Sequence, residues 1–499
     1  MGSTGLLVIL ILAGVFLLVA VHDLFQVRHA ILRNFPIVGH LRYLLEKIGP
    51  ELRQYIVADN DEERPFNRDQ RRWVYATAKK ENPYFGFGTD NDVDLPGSII
   101  IKHSTFPVDQ RSAESILPSP KVLGSWGNRP HSFRPKSLVN ISGMSFGSLS
   151  GPAIEALNKG SLLAGCLHNT GEGGISSHHL HGGDLVYQIG TGLFGSRDSL
   201  GKFSMEALLE TISETPVRAI EIKISQGAKP GIGGVLPAKK VTSEIAATRG
   251  IPKGVMVQSP SKHTSFDDVE GLIDFIELIA GQTGLPVGIK AAVGQINFWV
   301  DLADMMQASH KGPDFISIDG GEGGTGAAPL VFSDSVAYPF RIGFAKVFDI
   351  FYTRGLHREI TFIGSGKLGY PDTAVAALAL GCDMINVGRE AMMAIGCIQA
   401  QRCHTGHCPT GVATQSPWLS RGLNPSDKSV RVMNYVVALQ HEILRLSNSI
   451  GVTHPGLIPE SAVEIIDQKG SAVSILNYYG LSSFEQRFRE SDLDYLVNI

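Results

Sequence analysis

Phe315-Ile-Ser-Ile-Asp-Gly-Gly-Glu-Gly-Gly-Thr-Gly326 is a short, mostly apolar run that breaks abruptly into glycine. A run of five bounded by turn residues reads as a buried strand, because helices in folded domains usually need about 10 residues or more. The loop after it leaves several main-chain NH groups open to a ligand. Working outward, the same pattern recurs between about 138 and 389: Leu138 to Ser142, Cys166 to Thr170, Ala219 to Ser225, Val255 to Ser259, Pro286 to Ala291, Thr361 to Gly364 and Met384 to Gly388. Eight runs, each followed by a polar or Gly-rich turn and an amphipathic stretch, predict an α/β fold, a (β/α)8 TIM barrel. A doubly wound parallel sheet is the alternative.

Composition narrows the function. The 44 Lys+Arg against 48 Asp+Glu, for a formal charge of -4, exclude a basic nucleic-acid binder as a global description. The 56 glycines exceed the usual share of about 7% without a repeat, which points to tight loops and close approach of backbone to a ligand. Five cysteines in 499 residues do not make a disulfide framework.

Met1 to Val21 carries no charged side chain. At 1.5 Å per residue it reaches about 32 Å, enough to cross a hydrocarbon core of about 30 Å. A secretory signal would want Lys or Arg before the apolar run and a clear cleavage site, so a transmembrane anchor is the reading preferred. Arg28, Arg33, Arg42 and Lys47 follow the span, which places the body in the cytoplasm. The expected organisation is an anchor over 1–22, a helical collar over 23–84, the barrel with its cysteine cluster over 85–420 and a C-terminal helical extension over 421–499. Within that extension, residues 426 to 450 carry an amphipathic pattern suited to packing on the barrel.

Barrel enzymes collect function in the loops after the strands. Those loops here hold Ser142-Gly-Met-Ser-Phe-Gly-Ser148, Asn169-Thr-Gly-Glu-Gly-Gly174 and, beyond Lys223, Gln226-Gly-Ala-Lys-Pro-Gly231. Lys290 interrupts an apolar strand, where an ammonium is costly unless a ligand or a salt bridge meets it. The seventh and eighth runs end in Gly364-Ser-Gly-Lys367 and Gly388-Arg389, the usual phosphate position in this fold. Cys397, Cys403 and Cys408 suit zinc or an iron–sulfur cluster, with His404 and His407 nearby, whereas Cys166 and Cys382 read as inert core thiols.

Taken together, these segments resemble the FMN-binding synthase domain of glutamate synthase. Ser142 to Ser150, Asn169 to Gly174, Lys223 to Gly231, Gly323-Gly-Thr-Gly-Ala-Ala-Pro329 and Cys397 to Gln415 match in the family's order across roughly 85 to 450. The N-terminal segment, with Arg33-Asn-Phe-Pro-Ile-Val-Gly-His40, resembles the family's membrane-anchored, stand-alone branch. The resemblance implies FMN and a [3Fe-4S] cluster held by Cys397, Cys403 and Cys408. It implies Met144, Ser145 and Gly147 beside the flavin ring and Lys290 near its N1/O2 edge. Gly324, Thr325, Gly366, Lys367, Gly388 and Arg389 would take the FMN phosphate. Glu172 and Lys229 would be catalytic, and Gln226, Lys229 and Arg249 would hold the oxoacid.

The implied reaction is reduction of the imine of 2-oxoglutarate, or a related 2-oxoacid, to an amino acid. It is formally an oxidoreductase acting on CH–NH2 donors, run in reverse. Ferredoxin or a reductase subunit would supply electrons. No glutaminase domain is expected ahead of the barrel and no β-helix after it, so free ammonia, an amine or a partner protein would supply nitrogen. Ile232 and Val235 stand where the family usually has Glu and Gln, which weakens the inference to 2-oxoglutarate. The alternatives are a flavoenzyme with another substrate and a membrane-anchored flavin/iron–sulfur electron-transfer module.

Overall fold

The structure is a computed structural model that describes residues 3–26, 30–57, 62–84, 86–109, 117–481 and 488. Arg28, residues 1–2 of the expected anchor and residues 482–487 and 489–499 of the expected C-terminal extension lie outside the described residues. The chain divides into two compact units, Met1–Arg71 and Arg72–Ile499. In the first, Ser3–Phe25 forms one helix, and its stretch Gly5–Phe25 has mean hydropathy 2.8 and the length to cross a membrane. Helices Ala30–Asn34 and Gly39–Leu52 and a π-helical turn Arg53–Val57 follow.

In the second unit eight parallel strands close into a barrel: β1 (Val139–Ile141), β2 (His168–Asn169), β3 (Leu185–Ile189), β4 (Val217–Lys223), β5 (Val287–Ala291), β6 (Phe315–Asp319), β7 (Thr361–Ser365) and β8 (Met384–Val387). Closure is made where β8 pairs with β1, Ile385 opposite Val139. Seven of the eight strands overlap the apolar runs expected. The exception is Val255 to Ser259: Val257–Gln258 pairs antiparallel with Val235–Leu236 in a hairpin outside the barrel, and Val255 and Met256 are exposed. Its place is taken by β3, whose five residues are all buried. Gln188 disguises that strand, since its side chain turns inward to a polar partner rather than continuing the apolar run.

That partner is Glu221 of β4, 1% exposed inside the barrel. Asn169 Nδ2 and Gln188 Nε2 donate to its Oε1 at 2.8 and 2.7 Å, and Ser317 Oγ donates to Oε2 at 2.7 Å. A buried carboxylate is tolerated when its lone pairs are met, and here three other strands meet them. At the opposite, N-terminal end of the strands, Lys121 Nζ donates to Asp383 at 2.8 Å and to the carbonyls of His357 and Ile360. Arg129 bridges Asp314 and Glu277 there, at 2.9 and 2.8 Å.

Helices clothe the strands. Gly151–Ala164 follows β1, started by Ser150 Oγ accepting from the Ala153 NH and ended by Gly165 at φ 66°. The 26-residue helix Pro425–Ile450 lies along it, and Gly160 makes the approach possible, since a Cβ there would stand 2.5 Å from that of Val432. The end of helix Arg68–Lys79 packs on the same body: the Trp73 ring centroid is 6.0 Å from those of Tyr370 and Tyr435. Tyr75 Oη donates to the Cys397 carbonyl at 2.8 Å, and Asn434 Nδ2 donates to that of Ala78 at 2.9 Å. Ile99–Ile101, Val463–Ile466 and Ala472–Ser474 form a separate antiparallel sheet.

Replacing Glu221 by Leu leaves three buried donors without an acceptor. Each such donor costs about 1–3 kcal/mol, so Glu221→Leu is expected to lower the unfolding free energy by about 3 kcal/mol or more in urea titrations. An unchanged midpoint would show that the carboxylate does not brace the barrel.

Candidate active site

The chemistry gathers at the C-terminal ends of the strands. Glu172, in the loop after β2, places Oε2 3.1 Å from Lys223 Nζ and Oε1 4.0 Å from Lys229 Nζ. Two glycines shape its chamber: a Cβ at Gly190 would lie 2.6 Å from the Glu172 Cβ, and one at Gly234 2.8 Å from Oε1. Burial alone would raise the Glu172 carboxyl, but Lys223 and Lys229 overcome it and hold the group down at about 2. Burial lowers the Lys229 ammonium below its usual range, with Glu172 opposing and Lys223 and Arg249 assisting.

Arg249 ends helix Ser243–Arg249, which Thr242 starts by accepting from the Ile245 NH and Gly250 closes at φ 61°. Its guanidinium is 5% exposed, lies over the Phe194 ring at 5.1 Å and donates from Nη2 to the Phe146 carbonyl at 2.9 Å. Nε is buried with no hydrogen-bond partner. Burial pulls the group down to about 10. The loops beneath it need glycine: a Cβ at Gly147 (φ 104°) or Gly173 would stand 3.1 Å from Nη2, and one at Gly171 2.5 Å from the Ser145 NH. The segments around Met144–Gly147 and Glu172 are thereby interlocked, with Arg249 laid across them.

Gln226, expected to hold the oxoacid, has both ends of its amide bonded to protein groups. Its Oε1 accepts from Lys223 Nζ at 3.0 Å and its Nε2 donates to the Gly324 carbonyl at 2.6 Å. Lys290 stands 3.7 Å from Asp319 Oδ2, the same oxygen that accepts from the Gly227 NH at 2.9 Å. The structure therefore gives Lys290 a salt-bridge partner at the strand ends. The loops after β6, β7 and β8 meet one another. A Cβ at Gly324 would fall 2.7 Å from Arg389 Cδ, Arg389 Nη2 donates to the Glu322 carbonyl, and a Cβ at Gly366 (φ 146°) would lie 3.5 Å from Glu322 Cδ. Gly388 faces Ser142 across β8 and β1. Thr325 Oγ1 turns back onto its own loop, to the Ala327 carbonyl, and Lys367 adopts φ 53°.

A glycine cradle bordered by Arg389 and Lys367, together with a buried guanidinium whose Nε lacks a partner, fits a flat, phosphate-bearing ligand with an anionic co-ligand. The sequence marks Lys223 as a strand-end lysine, but its pairing with Glu172 is tertiary. One contributor has no sequence signal. His263 Nε2 donates to the Lys223 carbonyl at 2.9 Å while its Nδ1 lacks a partner, and nothing in Ser-Lys-His-Thr marks it.

The cysteines are a poorer fit to a metal. Among the described residues no three His, Cys, Asp or Glu side chains gather as a metal site. Cys408 is buried and Cys397 and Cys403 are partly so. Lys240 Nζ donates to the Cys403 carbonyl at 2.8 Å; burial raises the Cys403 thiol with Lys240 only opposing, whereas hydrogen bonds from Thr410 and nearby backbone lower that of Cys408 against its burial. Cys166 and Cys382 are buried core thiols, and burial pushes Cys166 up to about 12.

Comparison with known proteins adds independent findings. A family described as "Conserved region in glutamate synthase" matches residues 125–453. A glutamate synthase large subunit-like protein of Bacillus subtilis, YerD, is 37% identical over 93% of this chain and 94% of its own length. The archaeal glutamate synthase [NADPH] of Methanocaldococcus jannaschii is 36% identical over 63% of this chain. The match spans 59% of that enzyme's length. Among solved structures, a flavocytochrome b2 mutant with pyruvate bound aligns at TM-score 0.43 and 15% identity, over 89% of this chain and 93% of that one. Likeness at that level carries no argument, and the barrel is established by its own strand pairing.

The depressed Glu172 carboxyl has a pH consequence. A group whose folded value lies below its ordinary 4.5 adds stability that is complete above about 4.5 and is lost as pH falls toward about 2. Glu172→Gln is expected to remove that part of the acid dependence, so that wild-type and variant stabilities converge between pH 4.5 and 2 in pH-resolved thermal unfolding. Parallel curves over that window would refute the assignment.

Proposed function

The chain belongs to the glutamate synthase family, and from that premise we propose that it is an FMN- and iron–sulfur-dependent oxidoreductase that reduces the imine of a 2-oxoacid to an amino acid. The observation that carries the reading is the Arg249 guanidinium, buried beside Glu172 and Lys229, with a donor left unmatched. Bound FMN supplies the hydride. Met144, Ser145 and Gly147 would border its ring, and Gly324, Thr325, Gly366, Lys367, Gly388 and Arg389 would hold its phosphate. The planar fork of Arg249 takes a carboxylate of the oxoacid and fixes its orientation.

Reduction of C=N adds a hydride to carbon and a proton to nitrogen. Glu172, held ionised at about 2, has no proton to give at neutral pH. Lys229, whose ammonium is weakened by burial, is the better donor, and the proton leaves from Nζ. Glu172 pairs with both lysines and opposes the loss of the Lys229 charge. Gln226, bound at both ends, acts by fixing Lys223 against the loop of Gly324.

2-Oxoglutarate with free ammonia or an amine is the simplest substrate pair, and ferredoxin or a reductase subunit the simplest electron source. Ile232 and Val235 lie in the loop and hairpin that border the chamber, which favours testing other 2-oxoacids alongside it. The [3Fe-4S] cluster is proposed from the family resemblance of Cys397, Cys403 and Cys408, whose spacing alone suits zinc as well and which do not gather as a metal site among the described residues. The apolar helix Gly5–Phe25 supports a single-pass anchor, and Arg33, Arg42 and Lys47 after it favour a cytoplasmic body.

Anaerobically photoreduced full-length protein is expected to be reoxidised by 2-oxoglutarate when ammonia is also present. Arg249→Ala should cut kcat/KM for the oxoacid by about 10²-fold, the effect of about 3 kcal/mol for a buried charge pair, with flavin content unchanged. No reoxidation by any 2-oxoacid, with flavin intact, would overturn the reading. Metal analysis of anaerobically purified protein should find iron and acid-labile sulfide in a three-to-four ratio, lost in Cys403→Ser. Zinc, or no metal, would remove the cluster from the proposal.

A further inference from the structure

The collar helix Gly39–Leu52 carries an apolar face that the fold leaves in the open. Leu41, Leu44, Leu45, Ile48 and Leu52 are between 39% and 57% exposed. At 3.6 residues per turn these five fall within an arc of about 100°, the width of a face that ordinarily packs against something. The π-helical turn extends the patch, with Tyr55 40%, Ile56 74% and Val57 71% exposed. Arg42 and Lys47 flank the stripe, and residues 30–57 hold four Arg or Lys against two Glu.

The occupant is indicated by what lies immediately upstream. The helix begins 14 residues after Phe25, the end of the membrane-length stretch. A buried carboxylate fixes where it begins. Asp23 is 0% exposed, its Oδ2 accepts from the Ile37 NH at 2.9 Å, and its oxygens lie 2.9 and 3.0 Å from His40 Nε2. The start of the collar helix is therefore held within hydrogen-bonding distance of the last turn of the apolar helix. If that helix spans the bilayer, its last turn is at the headgroup level, and so is the start of the collar helix. Phe35 and Val38, in the turn between them, are 63% and 71% exposed. An amphipathic helix delivered to the interface, apolar on one face and flanked by cations, buries that face at the boundary of headgroups and acyl chains.

We propose that Gly39–Leu52 lies in the membrane interface with Leu41, Leu44, Leu45, Ile48 and Leu52 against lipid, so that the collar is a second membrane contact rather than a spacer. The proposal rests on the reading of Gly5–Phe25 as a span, and the test separates the two. The full-length protein is reconstituted in phosphatidylcholine/phosphatidylglycerol vesicles with and without brominated acyl chains. Three single variants, Leu12→Trp, Leu45→Trp and Tyr43→Trp, are read as the bromine-dependent loss of tryptophan emission over that of the unsubstituted chain. Far-UV circular dichroism checks that each remains folded.

Tyr43 lies on the face of the collar helix opposite the stripe, so it serves as the control. Emission lost at 12 and 45 but kept at 43 is the expected result. Loss at 12 with none at 45 would overturn the interfacial helix while leaving the anchor standing, and would assign the stripe to the rest of this chain or to a second copy. Equal loss at 43 and 45 would also overturn it. No loss at 12 would remove the anchor, and with it this proposal.

Discussion

Glu221 is the constraint on which the arrangement of this barrel turns. It sits where the strands cross the interior, and its acceptors are filled from β2, β3 and β6, so four of eight strands share one register. Side chains two apart on a strand face the same way, and a slip of one would turn them all around. Two residues beyond Glu221 on β4 is Lys223, which meets Glu172, and two beyond Ser317 on β6 is Asp319, which meets Lys290. Lys223 and Lys290 are register partners across β4 and β5. The alignment that satisfies the buried carboxylate therefore also delivers the charged layer above it. A polar core costs desolvation and gives in return specificity of register, which a uniformly apolar barrel would enforce less sharply.

Above that layer the charges do not balance locally. Lys223, Lys229 and Arg249 surround one carboxylate, Glu172, in a chamber with glycine walls. Burial pulls Lys229 and Arg249 down, with neighbouring cations adding to it, and the same cations hold Glu172 down against its own burial. The anionic substrate proposed above would relieve the excess, and by displacing water would strengthen the charged contacts around it. Positive charge at this mouth is thus a property of the whole group of side chains and belongs to no single residue.

Much of this was readable in the sequence, and for a physical reason: loops that approach a ligand with bare backbone must be glycine, and glycine is conspicuous. Asn169–Gly174, Gly320–Gly326 and Gly364–Lys367 stand out on that count, and the last two meet where the Gly320 NH donates to the Ser365 carbonyl at 2.8 Å. The third strand was not found, because Leu185-Val-Tyr-Gln-Ile carries its polar residue on the inward side, where a simple apolar count penalises it. The exposed Val255-Met-Val-Gln258 took its place for the converse reason. Pairing across loops was also illegible. Neither Gln226 spanning Lys223 and Gly324 nor His263 on the Lys223 carbonyl leaves a local signature, since each depends on segments brought together by closure of the barrel.

The packing of Trp73 between Tyr370 and Tyr435, with Tyr75 on the Cys397 carbonyl and Asn434 on that of Ala78, bears on where this chain can be cut. A soluble version begun at the first strand-forming residues near 99 would keep every barrel strand yet expose two aromatic rings. It would also strip a donor from the cysteine loop and leave the Asn434 amide without its acceptor. The seam that preserves the body lies upstream of helix Arg68–Lys79, so the shortest faithful truncation keeps a segment that contributes no strand to the barrel.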